Sequence, residues 1–260
     1  PGVIVIGALP SMGKTSLIIN MLVHNAVKNS HPVVFFSLEM SATQIIKNIA
    51  ANYHEINTMA IRDGGLSDED MAKFKQIKFL LKDNLVIDDT AGITWNYIDA
   101  KLTKIRKKIP ITKQIIVMID YLQLMGNTED EIKGKTDESQ MAARCKGLMN
   151  LWKKHNLCII ELSQLGREVA KERRRPRMSD LKESGAIEAN ANSVWLLHCP
   201  DYFDPKATDN EGRDMKGICE IIADKNRGGR KGFAYTHFIK KYSKFENLSK
   251  DHWENKGSII

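Results

Sequence analysis

The sequence predicts an α/β fold: a mostly parallel, twisted sheet with helices on both faces and an antiparallel edge. Three observations predict it. Short apolar runs without alternation recur at Val3 to Ile6, Val33 to Ser37 and Ile115 to Ile119, the pattern of strands buried on both faces. Helical patterns separate these runs, as in repeated strand–helix–strand units. The last strand patterns, at Val194 to His198, Gly217 to Asp224 and Phe233 to Lys240, follow one another without helices, so the sheet should end in antiparallel strands.

The elements follow in order. The first strand breaks at a small-residue loop, Gly7 to Gly13, and a helical pattern runs from Lys14 to about Lys28. Pro32 ends the next loop before the second strand. Ser41 suits an N-cap for a helix to about Tyr53. Ser67-Asp68-Glu69-Asp70 starts another helix, since acidic residues suit a first turn. Leu85 to Ile87 reads as a third strand, ending at Asp88-Asp89, and Ile115 to Ile119 as the fourth and most apolar. A polar loop with Gly126 runs to about Lys135. Ser139 to His155 reads as a long helix, weakened slightly by Gly147, and Leu157 to Leu162 as the fifth strand. No repeat or low-complexity linker interrupts the chain, and one domain over residues 1–260 is expected.

Bulk properties exclude several classes. The 260 residues are 42% hydrophobic and 27% charged, as in ordinary globular proteins. No apolar run reaches the roughly 18 residues that a spanning helix needs, and no secretion signal stands at the start. No membrane partner and a cytoplasmic location are expected. Cys145, Cys158, Cys199 and Cys219 lack metal-site spacing and read as small apolar filler. The net charge of +7 is mild support for a polyanionic partner, and its placement is more telling. Arg173, Arg174, Arg175 and Arg177 form one cluster; Lys225, Arg227, Arg230 and Lys231 form another. The chain opens on Pro-Gly rather than Met, which suggests a fragment lacking its upstream part.

Four motifs carry chemistry. GALPSMGKTS, Gly7 to Ser16, lies between a buried strand and a helix, the context of a phosphate loop. Pro10, Ser11, Met12, Gly13, Lys14, Thr15 and Ser16 are the expected nucleotide-binding residues. Loop amides and the helix N-terminus would face the anion. Lys14 would reach the β- and γ-phosphates, and the Thr15 hydroxyl would ligate Mg²⁺. Ala8 stands where such loops usually have their first glycine. In IIVMIDYLQLM, Ile115 to Met125, Asp120 ends a buried strand and suits the Mg²⁺-organising carboxylate. In FSLEM, Phe36 to Met40, Glu39 is placed to polarise an attacking water. In ELSQL, Glu161 to Leu165, Gln164 lies just past a strand, where its amide could sense the γ-phosphate and report its loss. Each has a plainer reading, from a chance Gly-Lys-Thr to a surface glutamine, and the joint occurrence argues against those.

In this order and spacing, PSMGKT, SLEM, IDYLQLM, LSQL and SDLKESGAIEANAN resemble the C-terminal RecA-like motor domain of DnaB-type replicative helicases. The last segment is the most specific, because generic RecA-like ATPases lack it. The resemblance implies a DNA-binding, ATP-dependent hydrolase, using Mg²⁺ with ATP or another nucleoside triphosphate. A homohexameric ring would move along single-stranded DNA and unwind duplex DNA during replication. It implies strand contacts at Lys182, Glu183 and Gly185, largely through main-chain amides. Lys182 is often arginine in the family, so phosphate attraction should survive without a forked bond. Arg173 to Arg177 would add to the positive field of the pore. DKNRGG implies that Lys225 and Arg227 reach the γ-phosphate held by the neighbouring subunit, Arg227 as an arginine finger. Leu9 stands where the family often has arginine. The family's N-terminal helical domain and linker helix have no counterpart in the sequence, and primase and helicase loader would be partners of the full-length protein. Two rival readings are a RecA- or RadA-like recombination ATPase, which the SDLKESG segment opposes, and a nucleotide-switched DNA-binding module, which Glu39, Asp120 and Arg227 together oppose.

Overall fold

In the computed structural model, residues 2–81, 84–126, 136–182 and 184–248 are described. They build one nine-stranded sheet with the order β3-β2-β4-β5-β1-β6-β7-β8-β9. The strands are β1 (Gly2–Ala8), β2 (Val33–Ser37), β3 (Leu85–Asp88), β4 (Ile115–Asp120), β5 (Leu157–Gln164), β6 (Ser193–His198), β7 (Ile218–Asn226), β8 (Gly232–Ile239) and β9 (Lys244–Asn247). The pairs from β3 through to β6 are parallel. The pairs β6–β7, β7–β8 and β8–β9 are antiparallel. The predicted class and its edge are both present.

All five residues of β2 and all six of β4 are buried, as their unbroken apolar runs require. The helices are α1 (Lys14–Leu22), α2 (Ala42–His54), α3 (Thr58–Asp63), α4 (Asp68–Leu80), α5 (Trp95–Arg106), α6 (Asp137–His155), α7 (Arg167–Glu172) and α8 (Ser184–Asn190). A π-helical stretch, Val23–Lys28, continues α1. α1 packs against α2 and β9, while α6 packs against α5, α8 and β5. Ser41 and Ser67 cap α2 and α4, each accepting an N–H from three residues on, as the sequence predicts.

The structure departs from the sequence reading in places. Gln164 is the last residue of β5 rather than a residue just past it, because β1 extends alongside and pairs Ala8 with Gln164. Four helices and one strand were not anticipated: α3, α5, α7, α8 and β9. β9 buries one large apolar side chain, Phe245, which is too little to stand out as a strand pattern. α5 shows only Ile98 and Leu102 as its buried stripe, behind the Thr94 cap. Most of the expected Gly126 to Lys135 loop lies outside the described residues.

Candidate functional site

The phosphate loop leaves the C-terminal end of β1, which is central in the sheet. Ser11 (φ 65°) and Gly13 (φ 84°) both have left-handed backbone, and such alternation makes concave anion-binding nests of peptide N–H groups. Gly13 has a second constraint. A Cβ there would lie 2.7 Å from the Phe238 ring, and Phe238 is itself stacked on Phe245 at 4.4 Å. The C-terminal strands β8 and β9 therefore press on the loop, and only glycine fits beneath them. Ser243 and Ser16 share a hydroxyl–hydroxyl hydrogen bond of 2.6 Å, which ties the same corner to α1.

The four motifs converge because β4 lies between β2 and β5. The Leu38 N–H donates to the Asp120 carbonyl at 2.7 Å, bringing Glu39 beside the end of β4. Thr15 donates its hydroxyl to Asp120 Oδ2 at 2.9 Å. Lys14 Nζ stands 3.7 Å from Asp120 Oδ1 and 4.5 Å from the centre of the Tyr121 ring, a cation–π contact. Burial raises the pKa of the Tyr121 hydroxyl, and the neighbouring Gln164 side chain pulls it back down. Burial lowers the pKa of the Lys14 ammonium, and Asp120 and Glu39 pull it back up. Burial likewise raises the pKa of the Asp120 carboxyl, against the pull of Lys14.

A cavity of about 540 Å³ opens over this cluster, lined by Pro10, Ser11, Gly13, Lys14, Thr15, Ser16, Glu39 and Gln164 among others. Met12 is the exception among the expected loop residues. Its side chain is buried in the core, so only its backbone is available to a ligand. Phe238 and Lys240 also line the cavity; the motifs had not pointed to them, because they come from the far end of the chain.

Past β5 the chain reaches the SDLKESG segment. Leu165 bridges Leu181 in antiparallel fashion. The N–H of Gly166 donates to the Asp180 carbonyl at 2.7 Å, and the N–H of Lys182 to the Gln164 carbonyl at 3.3 Å. Lys182 and Gly185 are exposed; Glu183 lies outside the described residues. The arginine cluster is only partly available to a ligand. Arg174 forms a forked pair with Asp180, both bonds 2.7 Å, and also contacts Glu172. Arg175 pairs with Glu220 at 2.7 Å and lies over the Phe233 ring at 4.5 Å. Of the arginines expected to add to the positive field of the pore, Arg174 and Arg175 are thus paired within the chain.

Lys225 and Arg227 are not near the phosphate loop. The Arg227 N–H donates to the Asn192 carbonyl, and the Asn192 N–H donates to the Val3 carbonyl. Both cations thus sit at the N-terminal edge of the parallel strands, and the phosphate loop sits at the other edge. From Val3 to Ala8, at about 3.3 Å per residue, that is roughly 16 Å before the loop begins. The Lys225 ammonium rests on the Glu188 carbonyl, and Arg227 Nη2 donates to the Ala189 carbonyl at 2.7 Å. Asn192, in the IEANAN stretch, anchors the Arg227 backbone and also accepts the Val3 N–H through its side chain.

Among the described residues, no helix is long and apolar enough to cross a membrane, and the four cysteines are free. Residues 2–247 match the DnaB-like helicase C terminal domain. The chain is 35% identical over 250 residues to the replicative DNA helicase DnaC of Bacillus subtilis (strain 168), covering 95% of this chain and 52% of that protein. It is 34% identical over 249 residues to the replicative DNA helicase DnaB of Geobacillus stearothermophilus, with 95% and 52% covered. It thus spans about half the length of the curated relatives it matches. Among solved structures it is similar to a DnaB-like replicative helicase studied for its interactions with primase, at TM-score 0.85 and 32% identity over 95% of this chain and 57% of that one. A second solved structure, of an ATPase domain, is similar at TM-score 0.84 and 33% identity over 95% of this chain and 85% of that one. With the family model matching residues 2–247, the chain belongs to the family of the DnaB-like helicase C-terminal domain.

Proposed function

We propose that this chain is the RecA-like motor of a replicative DNA helicase, which moves along single-stranded DNA as a homohexameric ring and unwinds duplex DNA at the expense of ATP. The observation that carries the reading is the separation of Arg227 from the phosphate loop. A cation needed at the γ-phosphate stands at the opposite edge of the sheet from its own subunit's site. In this reading it serves a neighbour's site, which calls for a ring or filament.

Each residue has a role in that reading. Lys14 sets a point charge against the β- and γ-phosphates. Thr15 and Asp120 would hold Mg²⁺, and the donor set fits: two hard oxygen donors, with buried Asp120 Oδ1 lacking a hydrogen-bond partner among the described residues. Mg²⁺, when bound, would neutralise charge on the β- and γ-phosphate oxygens. Glu39 orients and polarises the attacking water. Gln164 bonds the γ-phosphate and, through its backbone, adjoins the segment of Lys182, Glu183 and Gly185 that holds the DNA backbone. Arg227 and Lys225 complete the next subunit's site. In the full-length protein, primase and a helicase loader are the partners, and the cytoplasm is the location.

Two measurements test this reading. The parent protein should displace a strand from a forked duplex with ATP and hydrolyse ATP faster when single-stranded DNA is present. Its affinity for single-stranded DNA should fall with salt by a slope of roughly 0.7 per phosphate contacted. Lys182→Ala should weaken binding with little change in base preference. Salt-independent binding, or a sharp sequence preference, counts against the reading.

A further inference from the structure

Contacts at two ends join the strand-contacting segment to the strand that carries the finger, and just upstream Arg175 also pairs with Glu220 on that strand. At one end the Met178 N–H donates to Asp224 Oδ2 at 2.7 Å, one residue before Lys225 on β7. At the other end, the last carbonyls of α8 accept Lys225 and Arg227; such end carbonyls lack helical partners and favour cations. The stretches 178–182 and 184–190 therefore each have a fixed point on β7. The first fixed point is braced from within the segment. Arg174 holds Asp180 by its fork, and the Asp180 carboxylate also accepts the Arg177 N–H at 2.7 Å. Asp224 has no part in the chemistry assigned above. Its carboxylate also lies 3.6 Å from Lys231 across the β7–β8 hairpin, and Asp224 lines a cavity with Arg174, Arg175 and Arg177.

We propose that Asp224 is a positioning residue that makes the strand-contacting segment and the finger strand a single rigid unit. A subunit's hold on single-stranded DNA then sets where its Arg227 stands in the neighbouring nucleotide site. This rests on the reading above, in which the 182–185 region touches DNA and Arg227 acts in trans. A carboxylate accepting a backbone N–H is a charge-assisted bond, stronger than a neutral one. It is the one side-chain contact described between Met178's turn and β7 that leaves the two cations free to move to a phosphate. Lys225 and Arg227 must leave the α8 carbonyls when they engage a neighbour's nucleotide; the Asp224 bond can persist through that exchange.

The test uses the full-length protein under ring-forming conditions. ATP turnover is measured without and with a homopolymeric single strand, and strand affinity is measured separately. Asp224→Ala should keep strand affinity and unaided turnover but lose DNA stimulation, on the order of tenfold, the worth of a hydrogen bond to a charged group. Asp224→Asn keeps an oxygen acceptor and should retain most of the stimulation. Met178→Pro removes the donor instead. Arg177 already has φ −126° and ψ 162°, the region favoured before proline, and Met178 opens a 3-10 turn, where proline fits. Met178→Pro should repeat the loss, and the double variant should be no worse than either single one. A role limited to fold stability would lower unaided turnover and affinity together rather than their ratio. Parental stimulation in Asp224→Ala or in Met178→Pro overturns the proposal. So does a loss reproduced by Lys231→Ala but not by Met178→Pro, which would assign the effect to the hairpin's own ion pair. A parent protein with no DNA stimulation at all overturns the helicase reading itself, a separate result.

Discussion

The backbone carbonyl of Gln164 accepts the N–H of Lys182 at 3.3 Å, so the proposed γ-phosphate sensor and the proposed strand contact are joined through main chain. The Gln164 side chain acts separately from that bond: it lies beside Tyr121, whose ring lies beside Lys14. A shift of Gln164 on loss of the γ-phosphate would pull directly on the strand-contacting motif at Lys182. No long relay is needed, because β5 ends where that motif is bonded.

Gln164→Ala should separate sensing from binding. The backbone bond to Lys182 survives the substitution, so single-strand affinity with a non-hydrolysable ATP analogue should change little. The difference in strand affinity between that analogue and ADP should shrink towards nothing. Equilibrium binding to a labelled oligonucleotide in the two nucleotide states checks this. A difference as large as the parent's would leave Gln164 without a sensing role.

Glu39→Gln should retain nucleotide and lose turnover. Glu39 lines the cavity with Lys14 and Gln164 and lies close enough to raise the pKa of both Lys14 and Asp120. The amide keeps the shape and removes the base. A general base contributes on the order of 10²–10⁴ in rate, and a steady-state assay resolves that. Turnover at the parent rate would return Glu39 to being an ordinary helix-approach residue.

Buried Glu161 gives the chain a pH-dependent stability. It is 2% exposed, in the middle of β5, and burial pushes its pKa up to about 8 from an ordinary 4.5. The folded state keeps the proton while the unfolded chain loses it above that ordinary value. The stability this group permits is therefore full below pH 4.5 and drains away as pH rises towards 8. Glu161→Gln, uncharged at every pH, removes the drain. The variant should gain on the parent by a few kcal/mol between about pH 5 and pH 8. Denaturant unfolding at a series of pH values measures it; parallel stability curves for the two proteins would refute it.

The sheet, its edge and the cluster of Lys14, Thr15 and Asp120 were legible in the sequence because their signals are local. A buried β-branched run, a small-residue loop and Gly-Lys-Thr occupy consecutive positions, and Ser41 and Ser67 announce their helices at a fixed offset. What was illegible is non-local. Met178 meets Asp224 across 46 positions, and Arg174 is spent on Asp180 rather than offered to DNA. No spacing rule marks either pair, since both depend on how the segment after β5 lies on β7. Phe238 above Gly13 is the same kind of case. The glycine was readable as a phosphate-loop residue, but the ring that forbids a side chain there comes from the last hairpin.

The placement of Arg227 yields the most demanding prediction. Its backbone is hydrogen-bonded to Asn192, and Asn192 to Val3, at the end of β1 away from Lys14. A side chain rooted there cannot reach its own subunit's phosphate. Arg227→Ala alone should be nearly inactive, and Lys14→Ala alone should be inactive for a different reason, having lost the charge on the β- and γ-phosphates. Subunits mixed under exchanging, ring-forming conditions create some interfaces that pair an intact phosphate loop with an intact Arg227, so part of the activity should return. An arginine finger supplies on the order of 10³–10⁵ in rate, so even a small fraction of such interfaces stands well above the background of either variant. The recovered activity should rise to a maximum near equal mixing and fall on either side, because the repaired interface needs one subunit of each kind. Mixing that restores nothing, although exchange is verified by labelled subunits, would mean that the two residues do not meet across an interface. Normal hydrolysis by Arg227→Ala as an isolated monomer would remove the finger altogether, and with it the main support for a ring motor.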